Sequence, residues 1–133
     1  MDLQGVMVDP SKIEGGDWVE NVPEMGDLRL KVRGVNCAAW RGLARKLSEA
    51  VPRNKKIGGR IAQDEQDKII SACLRDVGLI DWANMTTGGK PLPYSKDVAG
   101  QMLADPAFQA FRDAALWACT VVGAETPTEE NEQ

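Results

Sequence analysis

The hydrophobic period of this chain changes near residue 36, and that change restricts the folds open to it. In residues 28–33, LRLKVR, apolar and charged side chains alternate with the two-residue period of a half-buried strand. From Asn36 onward, apolar side chains recur at the spacing that places them on one face of a helix. The pattern predicts a β element followed by a helical region.

The β element is predicted to be an N-terminal hairpin over residues 17–33. Its strands are DWVENV (17–22) and LRLKVR (28–33), and Pro23 and Gly26 lie in the loop between them. A lone hairpin is only marginally stable in water, so we expect this one to contact helices. Residues 1–16 show no clear period, although GVMV could add a short edge strand.

Two helices are predicted after the hairpin. Asn36 can cap the first, which ends before Pro52, and PRNKKIGGR (52–60) has the composition of a loop. The second runs from residue 61 or 64 to residue 77. Gly78 is placed as its C-terminal cap, and LIDW (79–82) adds large apolar groups at the helix end.

Two more helices are predicted after a connector, residues 81–95. Ser95 is a typical N-cap for the third helix. Asp105 and Pro106 end that helix and begin the fourth, because Asp caps well and Pro is tolerated at the first helical position. The fourth helix is predicted to bury Phe108 and Phe111 and to end at Gly123.

Together these elements predict a mainly α protein with a minor β component. Residues 1–123 form one globular domain, in which the small hairpin precedes about four packed helices over residues 36–123. Residues 124–133, AETPTEENEQ, contain four acids and neither a base nor a large apolar side chain. Such a segment cannot bury enough apolar surface to fold, so a disordered acidic tail is predicted.

The residue types needed for catalysis are scarce. The chain has no histidine, which is the commonest general base and the usual activator of a serine or cysteine nucleophile. Its three cysteines are far apart, so we predict buried free thiols in a reducing cytoplasm and neither a metal site nor another cofactor. No apolar run approaches the ~20 residues of a membrane-spanning helix. We expect a protein that is not an enzyme.

Charge is distributed unevenly along the chain. Residues 41–60 carry seven cations and one acid, although the whole chain has a net charge of −4. A solvated helix face and loop would explain this segment, and so would contact with an acidic partner or a second copy of the chain. Nucleic acid is a weaker candidate, because a dedicated binder normally has a basic surplus. The cations are Arg41, Arg45, Lys46, Arg53, Lys55, Lys56 and Arg60.

Trp18 is a further candidate for an interface. Trp40, Trp82 and Trp117 fall on or beside apolar stripes, which favours positions in the core. Trp18 lies instead in the short N-terminal hairpin. We therefore group Trp18 with the basic residues as a candidate surface for a partner or for self-association.

The connector has the composition of a rigid brace between the second and third helices. Pro91 and Pro93 restrict the backbone, and the Gly88–Gly89 pair permits a turn. We expect Trp82 and Tyr94 to hold the connector against the core.

Residues 78–123 resemble the C-terminal half of the tail assembly chaperones of long-tailed bacteriophages. Members of that family often have a helix that ends in tryptophan and then a turn of the form Gly-Lys-Pro-x-Pro-Tyr/Phe-Ser. A helix with an acidic start and a final helix opened by Asp-Pro follow. The N-terminal sequence GDWVENVPEMGDLRLKVRGVN resembles the family's opening more loosely. The matching residues are Trp82, Gly89, Lys90, Pro91, Pro93, Tyr94, Ser95, Asp105, Pro106 and Phe108.

The resemblance implies a non-enzymatic role in the host bacterial cytoplasm. Proteins of this family bind the long helical tape-measure protein, keep it soluble until the tail tube forms around it, and are absent from the mature virion. Many are also made in a longer form by ribosomal frameshifting, and the extension recruits tail-tube protein. The resemblance therefore implies the tape-measure protein and the tail-tube protein as partners.

Two other functions fit the same sequence. One is a structural tail or head–tail connector protein, which would be present in the virion in fixed copy number. The other is a small nucleic-acid-binding regulator that uses residues 41–60, and its binding would weaken steeply with salt. Self-association is also expected, because a basic segment lies in an otherwise acidic chain.

Overall fold

The computed structural model describes residues 1–124, in which helices predominate over small sheets. Of these residues 53% are helical and 18% are in strands, so the predicted helix-rich fold is confirmed in outline and the β component is larger than expected. The α-helices are α1 (Pro10–Gly15), α2 (Ala38–Glu49), α3 (Gln63–Cys73), α4 (Lys96–Ala104) and α5 (Gln109–Val121). The strands are β1 (Asp17–Val19), β2 (Arg29–Val32), β3 (Lys56–Ile57), β4 (Arg60–Ile61), β5 (Leu79–Ala83), β6 (Thr86–Thr87) and β7 (Lys90–Pro91).

The largest sheet has three antiparallel strands in the order β1-β2-β5. The predicted hairpin is confirmed as β1 and β2, in which Val19 lies opposite Leu30. Leu30 and Val32 on the central strand are fully buried. The third strand was not predicted and lies in LIDW, where the apolar end of a helix was expected.

A bulge explains why LIDW was assigned to a helix end. Leu79 and Trp82 are both buried, although side chains three positions apart on a regular strand point to opposite faces. Leu30 pairs with Trp82 and Val32 with Leu79, so three steps along β5 match two along β2, and the register shifts there. This irregularity places both side chains in the core and gives a strand the apolar spacing of a helix.

The first two predicted helices are present, but their ends differ from the prediction. Exposed Asn36 is not the cap of α2; buried Cys37 is, and its sulfur accepts a hydrogen bond from the Trp40 amide at 3.3 Å. Helix α3 ends at Cys73 and continues as a wider π turn, Leu74–Gly78. Gly78 is therefore inside this turn and does not have the positive φ of the predicted cap.

The predicted caps of the last two helices are present. Ser95 Oγ accepts from the Val98 amide at 3.5 Å at the start of α4. The Asp105 carboxylate accepts from the Ala107 amide at 2.9 Å, and a 3₁₀ turn, Pro106–Phe108, leads into α5. That turn shifts the helical phase, so Phe108 is 43% exposed and not buried as predicted, whereas Phe111 is buried.

One hydrophobic cluster joins the sheet to the helices. It runs in sequence from Ile13 on α1 to Val122 after α5, and it includes Leu30, Leu74 and Ala115. Helix α1 was not predicted, although Asp9-Pro10 repeats the Asp-Pro helix start of residues 105 and 106. The predicted disordered tail lies, except for Ala124, outside the described residues.

Within residues 1–124, no helix is long and apolar enough to cross a membrane.

Candidate functional site

The connector forms a small hairpin of its own. After β5, Asn84 adopts a positive φ of 68°, and the chain turns into β6 and β7. Gly88 and Gly89 form the two-residue turn between these strands, with φ of 58° and 82°. Such angles favour glycine, which confirms the predicted turn. The Leu92 amide then donates to the Met85 carbonyl at 2.8 Å, which continues the pairing beyond β7.

Trp82 holds the connector against the core, although it lies in a strand and not at the predicted helix end. Its indole Nε1 donates a hydrogen bond to the Leu92 carbonyl at 2.8 Å. Its ring meets the rings of Tyr94 and Phe111 edge to face, with centroids 5.1 and 5.8 Å apart. The three aromatic side chains therefore join β5, the connector and α5.

Tyr94 supplies a second attachment between the connector and β5. Its hydroxyl donates to the Leu79 carbonyl at 3.4 Å. Burial, with a smaller effect of the Asp81 carboxylate, raises the pKa of Tyr94 above its usual value. The hydroxyl therefore stays protonated at neutral pH and remains a donor.

The structure separates the residues of the family-like motif into two groups. Trp82, Tyr94 and Ser95 are buried or half-buried and stabilise the connector and the start of α4. The other motif residues are exposed and available for contact with a partner: Gly89, Lys90, Pro91, Pro93, Asp105, Pro106 and Phe108. A cleft of about 480 Å³ lies beside the connector, and its lining includes Asp27, Trp82, Pro91 and Pro93.

The basic segment, residues 41–60, spans α2 and the turns that follow it. Arg41, Arg45 and Lys46 lie on α2, and the other four cations lie on a 3₁₀ turn, Arg53–Lys55, and on the β3–β4 hairpin. All are exposed except Lys56, which is half-buried. None forms an ion pair with a carboxylate of residues 1–124.

The β3–β4 hairpin corrects the prediction of a loop at residues 52–60. Gly58 and Gly59 form its turn, with φ of 58° and 80°, so it closely resembles the connector hairpin. Its Ile57 is 78% exposed and lies between Lys56 and Arg60. The Gly-Gly pair was visible in the sequence, but strands of two residues are too short to show a hydrophobic period.

Trp18 lies on β1, an edge strand of the three-stranded sheet. It is half-buried, and the guanidinium of Arg29 lies 4.8 Å from the centroid of its ring. Arg29 also pairs with Glu20 at 3.4 Å. Part of the Trp18 ring is thus covered by a cation–π contact within the protein, and the rest is open to a partner.

The N-terminal segment carries an exposed apolar surface that sequence reasoning missed. Met1, Leu3, Val6, Met7 and Val8 are all about half exposed or more. Val8 forms an isolated bridge with Ala124, and the Asp9 amide donates to the Gly123 carbonyl at 2.8 Å. Five large apolar side chains in eight residues were the available signal.

The three cysteines are free and buried, as predicted. Burial is the main cause that raises the pKa of Cys73 to about 11 and that of Cys119 to about 12. These thiols therefore remain protonated and unreactive at neutral pH. Within residues 1–124, the structure contains no cluster of three or more Cys, Asp or Glu side chains placed to hold a metal ion.

Comparisons with family models, curated proteins and solved structures found no match to this chain.

Proposed function

We propose that this chain is a non-enzymatic tail assembly chaperone of a long-tailed bacteriophage. It would act in the host bacterial cytoplasm, bind the tape-measure protein, keep it soluble and help recruit tail-tube subunits. The observation that carries this proposal is the resemblance of residues 78–123 to that family. The motif supports it, because its buried and half-buried residues stabilise the fold and its exposed residues are available for contact with a partner.

The connector serves in this proposal as a brace that fixes a contact surface. Trp82 and Tyr94 attach it to β5 and α5, so the exposed Pro91 and Pro93 are presented on a fixed backbone. A contact surface that is already ordered loses less conformational entropy when a partner binds. The brace therefore favours binding without performing any chemistry.

Exposed apolar side chains supply the second part of the proposal. A tape-measure protein is a long helix with apolar faces, and such faces aggregate when they are uncovered. Leu3, Val6 and Met7 in the N-terminal segment and Phe108 before α5 are exposed apolar groups that could cover them. The cations of the basic segment would add contacts to acidic positions of the same partner.

The DNA around the gene provides the first test. We expect a slippery heptamer over the codons of residues 124–133, an overlapping reading frame beyond them, and a very long helical reading frame downstream. Unrelated neighbouring genes would contradict the proposal. The resemblance would then reflect only a turn of similar sequence in unrelated proteins.

Purified virions distinguish a chaperone from a structural subunit. Quantitative mass spectrometry should find this chain in lysates of infected cells and not in purified particles. A fixed number of copies per particle would contradict the chaperone proposal and would favour a structural tail or head–tail connector protein.

A further inference from the structure

The net charge of the chain lies in its last nine residues. All sixteen Lys and Arg lie in residues 1–124, together with sixteen of the twenty acids. The other four acids, Glu125, Glu129, Glu130 and Glu132, follow without a single base. Residues 1–124 therefore have no net charge. The net negative charge of the chain is carried by residues 125–133, which we call the acidic tail.

Unpaired cations are concentrated in the basic segment. Six of the nine cations outside it pair with a carboxylate, for example Arg112 with Asp67 at 3.6 Å. Within residues 1–124, none of its own seven cations does so. A stretch of like charge without counter-charges favours an acidic occupant.

We propose that the acidic tail docks on the basic segment of the same chain. The tail leaves the body beside α1, where the Asp9 amide donates to the Gly123 carbonyl. At the far end of α1, the Glu14 carboxylate accepts a hydrogen bond at 3.1 Å from the amide of Ala38, which is the first residue of α2. The tail therefore begins one short helix away from the basic face of α2.

The tail is long enough to follow that face. Nine extended residues span about 30 Å, and the twelve residues of α2 have a length of about 18 Å. This length is sufficient for carboxylates of the tail to meet Arg41, Arg45 and Lys46. Because the tail is tethered, its effective concentration at this face is in the millimolar range.

Docking would make the tail a competitor of any acidic partner. A partner that binds the basic segment must first displace the tail, so the free protein covers its own cations until a stronger acidic ligand arrives. This inference does not depend on the chaperone role. The experiments below test it in the free protein, whether or not the tape-measure protein is the partner.

Amide chemical shifts of the full chain test the inference. The variant Glu125→Gln, Glu129→Gln, Glu130→Gln and Glu132→Gln removes the tail charges and leaves residues 1–124 unchanged. In ~20 mM salt we expect its amide signals to differ from those of the parent chain in residues 41–60, and the difference should disappear in ~0.5 M salt as screening increases. The control variant, Thr126→Ala plus Thr128→Ala, should leave these signals unchanged.

A reciprocal variant and dilution complete the test. Arg41→Gln plus Arg45→Gln should shift the amide signals of residues 125–133, and all these shifts should be independent of protein concentration. Absent shifts, or shifts confined to other parts of the body, would overturn the inference. Shifts that grow with protein concentration would also overturn it, because the tail would then bind a second copy.

Discussion

Among individual residues, Gly78 was predicted to be a helix cap, but the structure requires glycine there for a different reason. Glycine after an apolar helical period is typical of a C-terminal cap. Here it is needed because a Cβ would lie 2.7 Å from Trp40 Cζ3 and 3.1 Å from Cys119 Sγ. Neither contact is visible in the local sequence, since both residues lie on other helices.

Substitution of Gly78 by Ala should destabilise the protein. Overpacking against the Trp40 ring is expected to lower the free energy of unfolding by about 1–3 kcal/mol. Gly42→Ala is the matched control, because Gly42 lies in α2 with nothing within 4 Å of the added Cβ. That change should raise the free energy of unfolding by up to about 1 kcal/mol through helix propensity. Urea unfolding measures both, and a Gly78→Ala variant as stable as the parent would disprove the contact.

The buried thiols should make stability depend on pH in the alkaline range. The folded chain raises the thiol pKa of Cys73 to about 11 and of Cys119 to about 12 from 9.0, so it holds these protons more tightly than the unfolded chain. Their stabilising contribution is complete below pH 9 and is lost as the pH rises through 9 toward 12. Urea unfolding between these limits should show the decline, and Cys119→Ala should reduce its slope. An unchanged slope in that variant would contradict the assignment.

Among helices and strands, the long periodic elements could be predicted and the short ones could not. Helices α2, α3, α4 and α5 have apolar stripes, and Ser95 and Asp105 mark two of their starts, so sequence was sufficient. Strand β5 could not be found, because its bulge gives it a helical spacing. The candidate site was predicted in part. The roles of Trp82 and Tyr94 and the Gly88–Gly89 turn were recognised, but the short paired strands were not, because such pairing depends on contacts distant in sequence.

Removal of both connector prolines should loosen this element selectively. Pro91→Ala plus Pro93→Ala is expected to cost about 0.4–1 kcal/mol for each substitution, since the unfolded chain gains freedom. Hydrogen exchange of the Leu92 amide, which is bonded to the Met85 carbonyl, should become faster.

Pro23→Ala is the control for the connector variant. Pro23 is exposed in the β1–β2 loop, so its replacement should leave exchange of the Leu92 amide unchanged. If thermal stability, partner binding and Leu92 exchange all stayed the same in the double-proline variant, the connector would not be a brace.

For the protein as a whole, charge distinguishes a protein-binding module from a nucleic-acid-binding regulator. The described body is electrically neutral, and the cations of the basic segment are offset by acids elsewhere. Trp40, beside this segment, is buried and unavailable for stacking on a base. We therefore expect an acidic protein segment, and not nucleic acid, as the ligand of the basic segment.

We expect no detectable binding of DNA or RNA at ~50 mM salt, where non-specific binders of nucleic acid are readily observed. A fluorescence anisotropy titration with labelled single-stranded and double-stranded oligonucleotides would measure this. Binding that weakens steeply with salt, with a salt dependence that corresponds to several phosphate contacts, would favour the regulator instead.

Co-expression with the tape-measure protein from the same phage tests the chaperone role. We expect the tape-measure protein to be insoluble when made alone, and to remain soluble and co-purify with this chain when the two are made together. A variant in which Leu3, Val6 and Met7 are replaced by Ser should fold normally and lose much of this effect, because exposed side chains contribute little to the core. A tape-measure protein that stays insoluble in the presence of the parent chain, with no complex formed, would contradict the proposed function.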